Sequence, residues 1–231
     1  MPERALSRQP ANRRVPHYRQ TTDFTCGPSA CLMAMATLEG KRPMRRAEEL
    51  QIWREATTIF MGPKGGHGGC SALGLALALD RRGFQAEVHV SHRGVLLGRR
   101  TRSAARSEVM RVLQARDLAE AKARDILVRY DRLSPTDLEV ATKEGAIAIV
   151  LCSMRLLHGD NVPHWIVVTR FAGEDVYVND PWVALDRGRS AHDMTDIRLS
   201  RRDFDLMTSY GQARERAVVL VRKANDNRRT Q

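Results

Sequence analysis

The 231-residue sequence predicts an α+β fold, and three observations predict it. Helical patterns dominate the first half of the chain and runs of β-branched residues dominate the second, so helices precede strands instead of alternating with them. The hydrophobic content of 42% is enough for a real core in a chain of this length, which favours one main domain over two. No internal repeat divides the sequence.

The first helix is expected over Cys26 to Leu38, where Leu32, Met33, Met35 and Ala36 form an apolar stripe and Gly40 can stop it. Pro28 is tolerated only in a first turn, where its missing N–H costs nothing, so the helix must begin at or very near Cys26. A second helix is expected over Arg46 to Ala56. The glycine-rich loop Met61 to Cys70 separates it from a third, Ser71 to Arg82, capped by Ser71 and ended by Gly83. Gln85 to Val90 alternates as a strand does, and Ser103 to about Tyr130 reads as one long or two short helices with a charged, solvated face. Ser134-Pro135 opens another helix, closed by Gly145 before the apolar strand Ala146 to Cys152. After a polar loop ending at Pro163, His164 to Arg170 is a strand, Ala172 to Glu174 a tight turn, and Val176 to Asp180 the return strand, stopped by Pro181. A short helix near Arg201 to Met207 and a strand over Arg216 to Arg222 complete the pattern.

The formal charge is +11, part of it in ends without periodic apolar pattern: residues 1–14 and 223–231 are expected to be flexible tails around a domain of residues 15–222. No signal peptide or membrane span is visible, so a cytoplasmic location without membrane attachment is expected. The four cysteines, Cys26, Cys31, Cys70 and Cys152, show no disulfide or CxxC spacing and are expected as thiols. His67-Gly68-Gly69-Cys70 resembles half a metal site, but no second Cys/His pair stands at ligand spacing. No metal or organic cofactor is expected.

Cys26 is the most informative residue. A thiol at a helix start meets free backbone N–H groups and the positive end of the helix dipole, and both favour the nucleophilic thiolate. His164 and Asp180 stand at the ends of strand-like runs and supply the base and carboxylate that such a thiol needs. Gln20 lies six residues before Cys26, and its neutral amide N–H₂ can join the Cys26 backbone N–H as an oxyanion hole. Asn179 is a rival to Asp180, because adjacent strand residues face opposite ways and only one of them can orient His164. Register is the demanding point. His164 and Asp180 are directly opposite if the hairpin is centred on Ala172. A two-residue turn at Gly173-Glu174 instead sets Val167 against Asp180, leaving His164 three positions away, about 10 Å along the strand. The sequence leaves both registers open.

His67 is a candidate substrate-binding group, since surrounding glycines let a ligand approach the backbone closely. Trp53 and Trp165 read as core or cleft wall, and Cys31, five residues beyond Cys26, as core.

The block Tyr18-Arg-Gln20-Thr-Thr-Asp-Phe-Thr-Cys26-Gly27-Pro28-Ser-Ala, followed by His164-Trp-Ile-Val-Val and Val178-Asn179-Asp180-Pro181, resembles the papain-like cysteine peptidases that process double-glycine leader peptides. The resemblance spans roughly Val15 to Arg222. It implies a papain-like cysteine peptidase fold, with an N-terminal catalytic helix packed on an antiparallel β-sheet. It also implies a catalytic triad of Cys26, His164 and Asp180 with Gln20 as oxyanion residue. Exporting members of that family are usually fused to a membrane transporter; without a membrane segment, a stand-alone bacterial form is the expectation. The reading is thiol-dependent hydrolysis of a peptide or amide, with a peptide or protein as substrate. Two rivals stand beside it: acyl transfer or deamidation by the same groups, and an inactive basic module that binds an acidic partner such as nucleic acid. Scattered arginines and an aromatic content of 5% give the latter little footing. Oligomeric state is not legible.

Overall fold

A computed structural model of the chain describes residues 14–59, 68–101 and 103–224. Helix α1 (Cys26–Glu39) begins where Pro28 requires and ends at Gly40, whose φ of 80° lets its amide return to the Ala36 carbonyl at 2.8 Å. Every residue from Cys26 to Leu38 is buried, so α1 is a central helix wrapped on all sides, not the one-striped helix that the sequence pattern suggests. Helix α2 (Arg46–Ala56) is amphipathic, burying Glu49, Ile52 and Ala56. Two short strands not foreseen from sequence, β1 (Thr57–Ile59) and β2 (Gly69–Cys70), pair antiparallel across the glycine-rich segment. Helix α3 (Ala72–Asp80) opens with the Gly74 amide donating to the Ser71 hydroxyl at 3.0 Å. It crosses α2 at Gly74, where an added Cβ would stand 2.6 Å from the Ala56 carbonyl oxygen.

Strand β3 (Phe84–Val90) follows, then α4 (Ala104–Ala123) and β4 (Leu127–Arg129). The expected helix over 103–130 therefore ends early, and its last part is a strand. Helix α5 (Pro135–Lys143) has a full capping box between Ser134 and Asp137. After it come β5 (Ile147–Ser153), the one-turn α6 (Arg155–His158), β6 (Pro163–Ala172), β7 (Asp175–Asn179), β8 (Ile197–Ser200), α7 (Arg201–Met207) and β9 (Ala217–Lys223). Strand β9 runs one residue past the expected domain end at 222; residues 1–13 and 225–231 of the expected tails lie outside the described residues.

The main sheet has the order β4-β3-β9-β5-β6-β7-β8. Its pairs are antiparallel, as expected, with one addition at the edge, where the three-residue β4 joins β3 in parallel. Side chains alternate between two cores. Ile149, Leu151, Trp165, Val167, Val219 and Val221 pack with α1 and α3, while Ala148, Val150, Ile166, Val168, Val218 and Leu220 pack with Leu138 of α5 and Phe204 of α7. Burial on both faces explains why these strands read as unbroken apolar runs. It also fixes register, because a one-residue slip would exchange the two cores.

Part of the positive charge is spent inside the fold. Arg82, in the turn after α3, meets Glu48 at 3.2 Å and Glu55 at 2.8 Å, both on α2, and the adjacent Arg81 meets Glu120 of α4 at 2.7 Å. Asp117 of α4 is the opposite case. Burial pushes its carboxyl up to about 6, and its Oδ2 has no hydrogen-bond partner among the described residues. A raised carboxyl opposes folding as it ionises, so the loss of stability grows from about pH 4 and is complete above about 6. Asp117→Asn is accordingly expected to raise the thermal midpoint at pH 8 and leave it nearly unchanged at pH 4, as circular dichroism melts at the two pH values would report.

Candidate active site

Gln20, Cys26 and His164 line one cleft of about 280 Å³, together with Phe24, Cys70, Trp165 and Trp182. Cys26 is 8% exposed, at the first position of α1 and so beside the free N–H groups of its opening turn. Space at Gly27 is tight: a Cβ would lie 3.1 Å from Leu75 and 3.2 Å from the Trp165 ring, so either side chain would have to shift. Trp165 is a cleft wall, its indole N–H held by the Cys70 carbonyl at 3.1 Å. Cys31 is core, as expected.

The register of β6 and β7 follows the second of the two alternatives, then departs from it. The turn is Gly173-Glu174, with Ala172 opposite Asp175 and Phe171 opposite Val176. A bulge at Thr169 then inserts one extra residue into β6, so Val168 faces Val178 and Val167 faces Asn179. Continuing that register puts Asp180 in line with Ile166, two residues from His164 and on the same side of the strand. Without the bulge Asp180 would fall in line with Val167, on the other side. The result is a short hydrogen bond in which His164 Nε2 donates to Asp180 Oδ1 at 2.6 Å. Asn179 does not orient the histidine. Its side chain donates to the Val15 carbonyl at 3.1 Å and accepts from the Asp196 amide at 2.8 Å.

The His164 ring, 3% exposed, lies within electrostatic reach of the Cys26 sulfur, and Nδ1 is the ring nitrogen left free once Nε2 serves Asp180. Burial alone would push its pKa down; the Asp180 carboxylate, and after it the Cys26 thiolate, overcome this and push it up to about 10. Asp180, fully buried, is drawn well below the usual carboxylate range: burial opposes ionisation, and the two imidazoles His164 and His158 outweigh it. Burial pushes the thiols of Cys31, Cys70 and Cys152 up, which keeps them in the unreactive protonated form.

Gln20 is 5% exposed. Its Nε2 donates one hydrogen to the Thr22 carbonyl at 2.6 Å, its backbone N–H donates to the Pro181 carbonyl at 2.9 Å, and its Oε1 has no partner among the described residues. With the Val15 bond to Asn179 and a 2.7 Å bond from His17 Nε2 to the Asp180 carbonyl, residues 15–20 are strapped across the end of β7. His67, the candidate substrate-binding residue, lies outside the described residues.

Two residues escaped the sequence reading. His158, on α6, donates from Nε2 to Asp180 Oδ2 at 2.8 Å, so one carboxylate serves two buried imidazoles. Its position in a polar loop after β5 gave no signal. Glu49 looks like one more acidic residue in the first turn of a surface helix, a common stabilising placement. In the fold it is completely buried beneath the loop that leads to Cys26.

Comparison with known proteins places this arrangement. A family model described as Peptidase_C39 like family matches residues 15–222. The chain belongs to this family. The resemblance read from the Cys26, His164 and Asp180 blocks is thereby borne out. Among solved structures, a Bacillus anthracis protein described as a C39-like peptidase aligns with a TM-score of 0.52 at 13% identity, covering 91% of this chain and 96% of that one. A double glycine motif protease from an AMS/PCAT transporter, solved in complex with its leader peptide, aligns at 0.46 and 16% identity over 92% of this chain and 96% of that one. The peptidase domain of Streptococcus ComA, a bi-functional ABC transporter of a quorum-sensing pathway, aligns at 0.43 and 12% identity over 91% and 98%. The Bacillus likeness shows a shared fold. No curated protein matches the sequence. The C39-like chain therefore has a fold of the papain-like cysteine peptidase type; no helix among its described residues is long and apolar enough to cross a membrane.

Proposed function

We propose that this C39-like protein hydrolyses a peptide bond through an acyl-enzyme on Cys26, with His164 as general base and acid and Asp180 as its orienting partner. The observation that carries the reading is the buried His164–Asp180 hydrogen bond in the same cleft of α1 and β6 as Cys26, with Gln20 also lining it. The Cys26 proton passes to His164 Nδ1, and the sulfur attacks the scissile carbonyl carbon while the carbonyl π pair moves to oxygen. The second hydrogen of Gln20 Nε2 and the Cys26 backbone N–H face the developing oxyanion. Collapse breaks the C–N bond as the imidazolium gives its proton to the leaving amine. Water then attacks the thioester with His164 as base, the C–S bond breaks, and the acid and free thiol are released. Asp180 keeps Nε2–H in place, so Nδ1 is always the atom that faces sulfur.

Incubating the protein with a mixed peptide library, with and without added methylamine, and weighing the products by mass spectrometry tests the whole reading. Free carboxyl termini that depend on Cys26 are expected in both samples. Amide products replacing them would identify a transferase, and no cleavage at any sequence, with Cys26 alkylated no faster than Cys31, Cys70 and Cys152, would end the proposal.

A further inference from the structure

Glu49 reaches from the first turn of α2 into the underside of the segment that delivers Cys26. It is fully buried and accepts five hydrogen bonds: from Tyr18 OH at 3.0 Å, Thr21 N at 2.8 Å, Thr21 Oγ1 at 2.9 Å, Thr25 Oγ1 at 2.5 Å and Ser29 Oγ at 3.2 Å. All five donors are neutral, and among the described residues no salt bridge to Glu49 is found. A carboxylate is buried without a cation only where donors replace its lost hydration, and here a single stretch of twelve residues, 18–29, supplies every one.

The bond to Thr25 has a specific consequence. Thr25 is the residue before α1, where a threonine ordinarily turns its hydroxyl oxygen onto an N–H of the helix's second or third position. No such side-chain cap exists on α1. The third position is Pro28, which has no N–H, so a cap here would take the amide of Gly27, next to the nucleophile. Glu49 takes the hydroxyl instead, and Thr22 Oγ1 stands 2.8 Å from the same oxygen.

We propose that Glu49 is a positioning residue of the thiol site, fastening the Gln20-bearing segment to α1 and holding the Thr25 hydroxyl off the Gly27 amide, whose capping would pull on the first turn of α1 and with it the Cys26 N–H that faces the oxyanion. This rests on the reading of Cys26 as the nucleophile. Two probes separate the roles. Acylation by 4-nitrophenyl acetate passes through a tetrahedral oxyanion, whereas alkylation by iodoacetamide does not, so only the first depends on free amides. In Glu49→Gln, acylation of Cys26, followed by peptide mapping, is expected to fall about 10- to 100-fold, with alkylation of Cys26 within about threefold of the native rate. Adding Thr25→Val removes the competing hydroxyl and is expected to recover at least about threefold of the lost acylation. A scaffold role predicts that the second substitution makes matters worse. Glu49→Asp keeps the charge with a shorter reach and is expected to show the same split if Glu49→Gln does not fold. Acylation unchanged in a folded variant, equal loss in both reactions, further loss on adding Thr25→Val, or failure of both variants to fold would each overturn the positioning role. Slow alkylation of Cys26 in the native protein would instead overturn the nucleophile reading on which it rests.

Discussion

Substituting His164 by alanine is expected to lower peptide cleavage about 10³- to 10⁴-fold and to slow alkylation of Cys26 by iodoacetamide at pH 7 at least tenfold. The two effects have one origin. In the proposed mechanism His164 is the cation beside the sulfur and the acid that protonates the leaving amine, and among the described residues His158 is no equivalent, since it faces the other oxygen of Asp180. The thermal midpoint should fall as well, because the substitution takes one of two imidazole partners from the buried Asp180 carboxylate, which keeps His158 and the Trp182 amide. Alkylation of Cys26 that is as fast in His164→Ala as in the native protein would remove the histidine from the chemistry.

The pH profile follows from the same pair. With His164 pushed up to about 10, the imidazolium persists through neutrality, and cleavage is expected to hold level and then fall as pH rises through about 10, where the proton for the leaving amine is lost. The stability that His164 gains from Asp180 is complete below its unfolded value of about 6.5 and disappears as pH climbs through about 10. The contribution of Asp180, whose carboxyl is held low, is complete above its unfolded value of about 3.9 and is lost as pH falls towards its folded one.

Much of this site was legible in the sequence because its parts sit at punctuated positions. Pro28 fixes where α1 starts, Pro163 and Pro181 bracket the strands that carry His164 and Asp180, and Ser71, Ser134 and Gly40 mark helix ends that appear as expected. What was hidden has physical reasons. Strands β4 and β8 have three and four residues and stand at the sheet edges, too short for alternation to register. The Thr169 bulge leaves no residue signature, since it replaces neither glycine nor proline, yet it decides which side of β6 meets Asp180. Glu49 and His158 become functional candidates only through long-range contacts: Glu49 lies 28 residues from Thr21, and His158 lies 22 from Asp180. Local pattern reports which residues are polar, while burial and partners appear only once the chain has closed.

Asp180 is where the largest loss of stability is expected. Its carboxylate accepts from His164 Nε2 and the Trp182 amide on Oδ1 and from His158 Nε2 on Oδ2, all in a fully buried position. Asp180→Ala removes the anion and leaves two buried imidazole donors and one backbone N–H without an acceptor. Breaking a buried pair in this way costs about 3–5 kcal/mol. Asp180→Asn is a milder change. The amide oxygen can still serve His164 and Trp182, while its N–H₂ turns to His158, which must then accept on Nε2 and carry its proton on Nδ1, an atom that has no partner among the described residues. A loss of about 1–3 kcal/mol is expected there, the cost of an unsatisfied buried group. The same substitution takes away the charge that raises His164, so the alkaline fall in cleavage should move down from about 10. Urea unfolding of the three proteins at pH 7 orders them native, Asp180→Asn, Asp180→Ala. Equal stability of Asp180→Ala and the native protein would mean that neither imidazole depends on this carboxylate, and with it the shared anchoring of His158 and His164 would fall.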